Sequence, residues 1–520
     1  MHLQRTPNGI SHLSTMQNLY KIIYILLVFA FFPVGDAYGF LRVSGSRIVD
    51  AADKPVRLQG LNIEFKDFMT VLNEDDIKKI ADSGANSIRL AFNYLDLEQS
   101  PFAYNKKNFE LLDLVIDWCE RHGILVVLDM HLVPGIQNIH DFVVNREKSA
   151  EFWNKREFQE RFYALWTHIA ARYRDRKIIA GYDLINEGSP PDISIYRKIL
   201  NTVAGKIRAL DKNHILIVEE AIHPARSKEL VLIDDKNTVY SIHFFYPPQF
   251  TFYATTTERP ISSYPGKMLT AGNLISEIKS AAPAGNEEWQ IAEIKASPPE
   301  GSEVLMVNII SEGNQGAIFF DDIRLAVDGH EIDLPAPLVS NNSFEIDYPG
   351  FNWDTTDSCV KVSDTTAKTG KHSLSFLNCR HAAAAHSSPI QVQNRTYVLK
   401  AWYKSRSASG KTFISLSWHA GRILSTIEKS SLLEQINYAI AFKSRHNVPL
   451  YVGEFTAHAN PSKENVANYL SDLLDIMVKE GFHWSFWEYY SHYRGVGIHN
   501  GPEKAMVNPA AWDTLKKYMK

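Results

Sequence analysis

Residues 178–187 read IIAGYDLINE. A nearly unbroken apolar run that closes on Asn186 and Glu187 suits a strand buried on both faces, as parallel sheets require. The same character recurs in VRLQGLNI (56–63), SIRLAF (87–92), ILVVLDMH (124–131), HILIVEE (214–220) and VYSIHFF (239–245). Amphipathic stretches separate these runs. Asn73, with Asp76 three residues later and Gly84 beyond, frames one helix. Phe109, Leu112, Ile116 and Cys119 keep helical spacing in the next, and Phe158, Phe162, Leu165, Ile169 and Tyr173 in a third. Six β-then-α units in succession predict a parallel βα architecture.

The rhythm breaks at residue 269. From there to 424 the chain turns rich in Ser, Thr, Asn and Gly, with short alternating strands such as 303–311, 316–325, 371–376, 396–404 and 411–419. That pattern predicts an antiparallel sandwich or jelly roll. Helices near 431–445, 464–479 and 510–519 and the runs PLYVGEF (449–455) and WSFWEYY (484–490) then restore the βα rhythm. The whole reads as an α/β chain: a (β/α)8 TIM barrel with eight strands and eight helices, interrupted after its sixth strand by a β-sandwich. Its parts are a leader (1–39), the first part of the barrel (40–268), the insert (269–424) and the last part of the barrel (425–520). Cys359 and Cys379 both fall in the insert, where they either pair in an oxidising compartment or stand as two thiols; Cys119 reads as a buried apolar residue.

The 520 residues are 45% hydrophobic and 22% charged, with a formal net charge of −4. This balance offers no basic face for a phosphate backbone, so no nucleic-acid partner is expected. Three cysteines exclude a disulfide scaffold. Arg5 and Lys21 precede the apolar run IIYILLVFAFF (22–32), and small residues follow at Gly35, Ala37 and Gly39. This is the build of an export signal, with a run shorter than the roughly 20 residues of a membrane span. A secreted, periplasmic or cell-surface protein is expected, membrane-attached only if that segment is retained, and monomeric.

In a TIM barrel the residues at the C-terminal strand ends face the active site. Those ends hold Asn62, Arg89, His131, Asn186 with Glu187, His243, Glu454 and Trp487. Glu187 and Glu454 end strands four and seven, across the mouth from each other, where a paired-carboxylate glycosidase needs an acid and a nucleophile. Arg89 can lower a neighbouring carboxylate's pKa, though it, His131 and His243 also read as buried structural residues, and Trp487 as packing alone.

These residues carry a family resemblance. LQGLN (58–62), SIRLAF with Arg89, LDMHLVPGIQN (128–138), LINEG (184–188), YVGEF (451–455) and WEYYSHYRGVGIHN (487–500) together resemble glycoside hydrolase family 5, the cellulase-like retaining glycosidases. The resemblance implies Glu187 as acid/base beside Asn186, Glu454 as nucleophile and Trp487 as a sugar platform. Two positions depart from it. Gly188 stands where the family has proline, and Phe245 where it has a tyrosine that contacts the nucleophile; either Tyr246 takes that contact through a local bulge or the contact is absent.

Within the insert, SNNSFE (340–345), Trp353, GKHSLSF (370–376) and YVLKAWYKS (397–405) resemble the opening half of a jelly-roll carbohydrate-binding module, and IFFDDIRL (318–325) its closing half. The order suggests a circular permutation. Trp289, Trp353, Trp402 and Trp418 are candidates for stacking on sugar or for core, and Asp321 and Asp322 read as a solvated turn or a calcium site. The expected activity is retaining hydrolysis of a β-glycan, first an endo-β-1,4-glucan, then mannan, β-1,3-glucan or a glycolipid. The rival is a glycan-binding barrel without turnover. For the hydrolysis, Glu187 needs a raised pKa and Glu454 must stay ionised beside Arg89; no metal or organic cofactor is required.

Overall fold

The computed structural model describes residues 39–138, 150–222, 228–252, 263–283, 285, 287–328, 342–344, 359–387, 389–492 and 495–519. The leader, Trp353 and most of 329–358 lie outside the described residues. Eight parallel strands close a barrel: Gln59–Glu64, Ser87–Asn93, Leu125–Leu132, Ile179–Asp183, Ile215–Glu219, Thr238–Phe244, Leu450–Phe455 and His483–Phe486. Each pairs with its neighbour in chain order, and the eighth closes on the first. Their apolar side chains are almost all buried in one core shared with the surrounding helices, which explains the unbroken hydrophobic runs.

Helices follow at Glu74–Asp82, Lys106–His122, Arg156–Tyr173, Ile193–Arg208, Lys429–His446, Lys463–Lys479 and Pro509–Tyr518. The first begins on Asn73, whose side chain and that of Asp76 cap it reciprocally. One expectation differs in detail. Between the fifth and sixth strands, among the described residues, the chain makes only short strands at Ala221–Ile222 and Lys228–Glu229, so seven of the eight connections carry a long helix.

The insert begins and ends at one place: Gly266 pairs with Ile427, so its boundaries are 266 and 427 rather than 269 and 424. The short strands read from the sequence join into two long ones, Val304–Val327 and Tyr397–Ile427, paired antiparallel along their length with register shifts between Glu312 and Ala317 and between Asp321 and Arg324. Bulges of this kind bend a ribbon. On one side of the bend lies Gly266–Ala281, and on the other Gln290–Ala296. Together they enclose a second apolar core that includes Leu305, Phe320, Leu416 and Trp418. Trp418 is therefore core, while Trp289 and Trp402 are half-buried, the latter under the ammonium of Lys368. Asp321 and Asp322 are buried rather than solvated; Asp321 accepts from the backbone N–H groups of Lys368 and Thr369.

Cys359 and Cys379 are bonded, closing a sequence separation of 20. A loop of that size contributes about 3 kcal/mol through the unfolded chain. A Cys359→Ser/Cys379→Ser double variant should lower the melting of the sandwich and leave the barrel transition in place, as read by calorimetry; one unchanged profile would refute this.

Candidate active site

The mouth of the barrel is organised around Arg89. It lies mid-strand rather than at a strand end, fully buried, and points into the barrel. All five of its N–H groups are used. Nε donates to Asp183 (2.9 Å), one terminal nitrogen to Asn62 (3.1 Å) and Glu454 (2.7 Å), the other to Asn186 (3.0 Å) and Glu219 (2.7 Å). Asp129 stands 3.1 Å from the same nitrogen as Asn186. A planar guanidinium suits such a task because its fork fixes several carboxylates at once. Asn62 is fully buried as well, and its amide nitrogen donates to the Gly453 and Ser485 carbonyls, tying the first strand to the seventh and eighth. Both residues, expected from the sequence among the substrate-binding groups, are fully buried and act as positioning groups.

Glu187 sits four residues beyond its strand, with a left-handed backbone (φ 44°). The strand ends at Asp183 because the chain peels away from the sheet, and the Glu219 carboxylate anchors the turn by accepting from the Glu187 N–H at 2.7 Å. Gly188 follows where the resemblance expects proline. A side chain there would press on Trp153 and Tyr196 at 3.3 Å, so packing of the loop explains the departure. Gly453, before Glu454, has the same logic: a Cβ would meet Ser241 Oγ at 2.8 Å and His243 Nε2 at 3.1 Å.

His243 lies between the two glutamates. Its Nδ1 is 2.9 Å from Glu187 Oε1 and 3.6 Å from Glu454 Oε2, and its Nε2 is 3.2 Å from Glu219. Oxygens of Glu187 and Glu454 approach within 4.8 Å of each other and of this ring. Burial works against its positive charge, but Glu219, Glu454 and Glu187 outweigh burial and hold the His243 pKa well above the ordinary imidazole range. The imidazolium in turn reverses the expected assignment of the carboxylates. Burial would raise Glu187, yet its hydrogen bond to His243 holds it below the usual range, whereas burial pushes Glu454 up against the pull of His243 and Arg89. These directions favour the charged form of His243 between the two glutamates.

His131 Nδ1 bonds Asp129 at 2.9 Å, and its ring stacks on Trp487 at 5.3 Å between centroids and 12° between planes. Trp487 is half-buried; its backbone N–H donates to the Phe455 carbonyl, and one indole face stacks on the histidine ring. Burial disfavours the His131 charge, but Asp129 raises its pKa to about 9. A raised folded value stabilises the fold below the ordinary histidine pKa and is lost as pH rises through the folded one. The melting temperature of His131→Gln should therefore lie below the native value at pH 6 and converge on it by pH 10; a gap independent of pH would refute this charge state.

Tyr246 does not take the contact left open by Phe245. Glu454 meets Arg89, His131 and His243; Tyr246 packs half-buried against the barrel core, and its carbonyl accepts from Tyr469. Sequence reasoning also missed Asp129, Asp183 and Glu219, which surround Arg89. Glu219 ends the fifth strand, so the strand-end rule that found Glu187 would have found it in HILIVEE.

Residues 49–278 match the cellulase model of glycosyl hydrolase family 5. Over those residues the chain is similar to glycosyl hydrolase family 5. Among its relatives are Endoglucanase C of Acetivibrio thermocellus, 30% identical over 188 residues (35% of this chain and 53% of the relative), and a beta-xylosidase of Phanerodontia chrysosporium, 30% identical over 244 residues (39% and 51%). The chain thus spans about half the length of the curated relatives it matches. The crystal structure of endoglucanase Cel5A from Thermotoga maritima aligns over 88% of this chain and 96% of its own at TM-score 0.47 and 16% identity. The family match ends inside the insert, short of Glu454; only the closed barrel brings that residue to the family 5 site.

Proposed function

We propose that this chain is an exported retaining β-glycosidase whose first substrate class is β-1,4-linked glucan. The observation that carries the reading is the close approach, within 4.8 Å, of Glu187 and Glu454. Retaining enzymes place their carboxyl groups about 5–5.5 Å apart, whereas inverting ones leave about 6.5–9.5 Å for a water. Glu454, held by Arg89, attacks the anomeric carbon. As its charge is consumed in the new bond, the field that keeps the proton on His243 weakens. The proton then passes over the 2.9 Å hydrogen bond to Glu187 and on to the leaving oxygen. Glu187, ionised again, activates the water that releases the sugar. Trp487 offers the flat apolar face on which a pyranose ring stacks. The similarity to an endoglucanase and a beta-xylosidase supports a β-glycan substrate. Residues 5–39 support export, to be checked by N-terminal sequencing of the mature protein from the medium or periplasm.

The deciding experiment is reducing-sugar release on carboxymethylcellulose, mixed-linkage glucan, laminarin, glucomannan, galactomannan and a glycosphingolipid, with the product anomer followed by NMR. Release of a β-anomer, fastest on a β-1,4-glucan, is expected. An α-anomer would refute retention, and binding without release on every substrate would favour the glycan-binding barrel.

A further inference from the structure

Beside this site, at the ends of the first and eighth strands, lies a second cluster that the reaction above does not use. Glu64 closes the first strand, and Asp67 follows in the short helix Phe65–Phe68. Glu488 and His492 come from the segment after the eighth strand, directly beyond Trp487. Oxygens of Glu64 and Asp67 and a ring nitrogen of His492 lie within 4.8 Å of one another. Asp67 is fully buried; its Oδ1 bonds His492 Nε2 at 2.8 Å, but its Oδ2 has no hydrogen-bond partner. Glu488, only 2% exposed, also leaves Oε2 without a partner.

Unpaired carboxylate oxygens are costly to bury. Burial first, and then the charges of Glu64 and Asp67, push Glu488 well above the usual carboxylate range; burial and Glu64 push Asp67 up to about 6. Glu488 is thus electrostatically linked to the same pair of carboxylates. The acids around Arg89 differ in that a buried guanidinium stands 2.7–3.1 Å from four of them, although Asp129 Oδ1 and Asp183 Oδ1 are likewise without a hydrogen-bond partner. Here, among the described residues, Lys66 lies 2.6 Å from Glu64 on a side chain 38% exposed.

We propose that Glu64, Asp67 and His492, backed by Glu488, bind one divalent cation at the barrel mouth. Two carboxylates and an imidazole suit Zn2+ or Mn2+ better than Mg2+. Ligand atoms about 2.0–2.2 Å from a Zn2+ lie up to roughly 4.4 Å apart, so small side-chain rotations close the set. His492, half exposed at 50%, leaves an entry path. The ion would join the loops after the first and eighth strands and steady the segment that carries Trp487.

The test is calorimetric titration of the chelator-stripped full chain with Zn2+ and with Mn2+, which reads the ion and so stands apart from the glycosidase reading. One-to-one binding is expected, with a raised melting temperature. His492→Ala, at a half-exposed position that should fold normally, should weaken binding at least tenfold, and Asp67→Asn likewise, while Glu187→Gln changes it less than twofold. Binding that survives both His492→Ala and Asp67→Asn, or that only Glu187→Gln removes, overturns the site. So does no binding of either ion; if Glu64→Gln then raises KM on a β-glucan, the free oxygens accept sugar hydroxyls instead.

Discussion

Glu454→Gln should lower reducing-sugar release from the best β-glucan by at least about a thousandfold, the scale on which covalent and acid–base catalysis act. The amide keeps the shape of the side chain and can still meet Arg89 through its oxygen, which now stands 2.7 Å from the guanidinium. It cannot attack the anomeric carbon. Binding should persist, since Trp487 and the polar groups around it are untouched. Because Glu454 is among the charges that raise the His243 pKa, the variant should also lower that pKa, visible as an earlier imidazole titration by NMR. The two readouts separate chemistry from folding. Activity within tenfold of native would remove Glu454 from the nucleophile's role, and an unmoved His243 titration would refute the shared proton.

Arg89→Met should cost about 3–5 kcal/mol, the range for removing one partner of a buried ion pair. At about 2–4 °C per kcal/mol this is a fall of roughly 6–20 °C in the barrel's melting temperature. The reason is the company Arg89 keeps. Asp129, Asp183, Glu219 and Glu454 stand 2.7–3.1 Å from it, all at most 5% exposed. Without the guanidinium the acids must take up protons to remain buried, so the loss should be greatest at high pH and shrink toward pH 4. Arg89→Lys should recover only part of it, because three N–H donors on a point charge cannot meet five acceptors. A melting temperature within 2 °C of native would show that the acids are balanced by other groups.

The hydrophobic runs and helix spacings foretold the barrel because each strand is buried on both faces, which leaves a local mark on composition. The paired glutamates were legible for a similar reason: they sit next to strand ends whose positions the runs give away. The sandwich was legible as antiparallel, but not the joining of its short strands into two bent ones, since a bulge needs only a register shift that alternation does not record. The fifth connection was read as helical by analogy with its neighbours, and its own residues form none among those described.

What the sequence determined by itself is the barrel, its interruption after the sixth strand, and the identity of Glu187, Glu454, His131, His243 and Trp487 as residues gathered at one mouth. Only the tertiary structure decided their charges and duties. The directions in which the His243, Glu187 and Glu454 pKa values move, and the burial of Arg89 and Asn62 among their partners, all depend on neighbours tens to hundreds of residues away in the chain. Burial and Coulomb interactions act over a few ångströms of space and are blind to sequence separation. A pattern of residues can therefore name the groups of a site, whereas their protonation follows from what the fold places beside them.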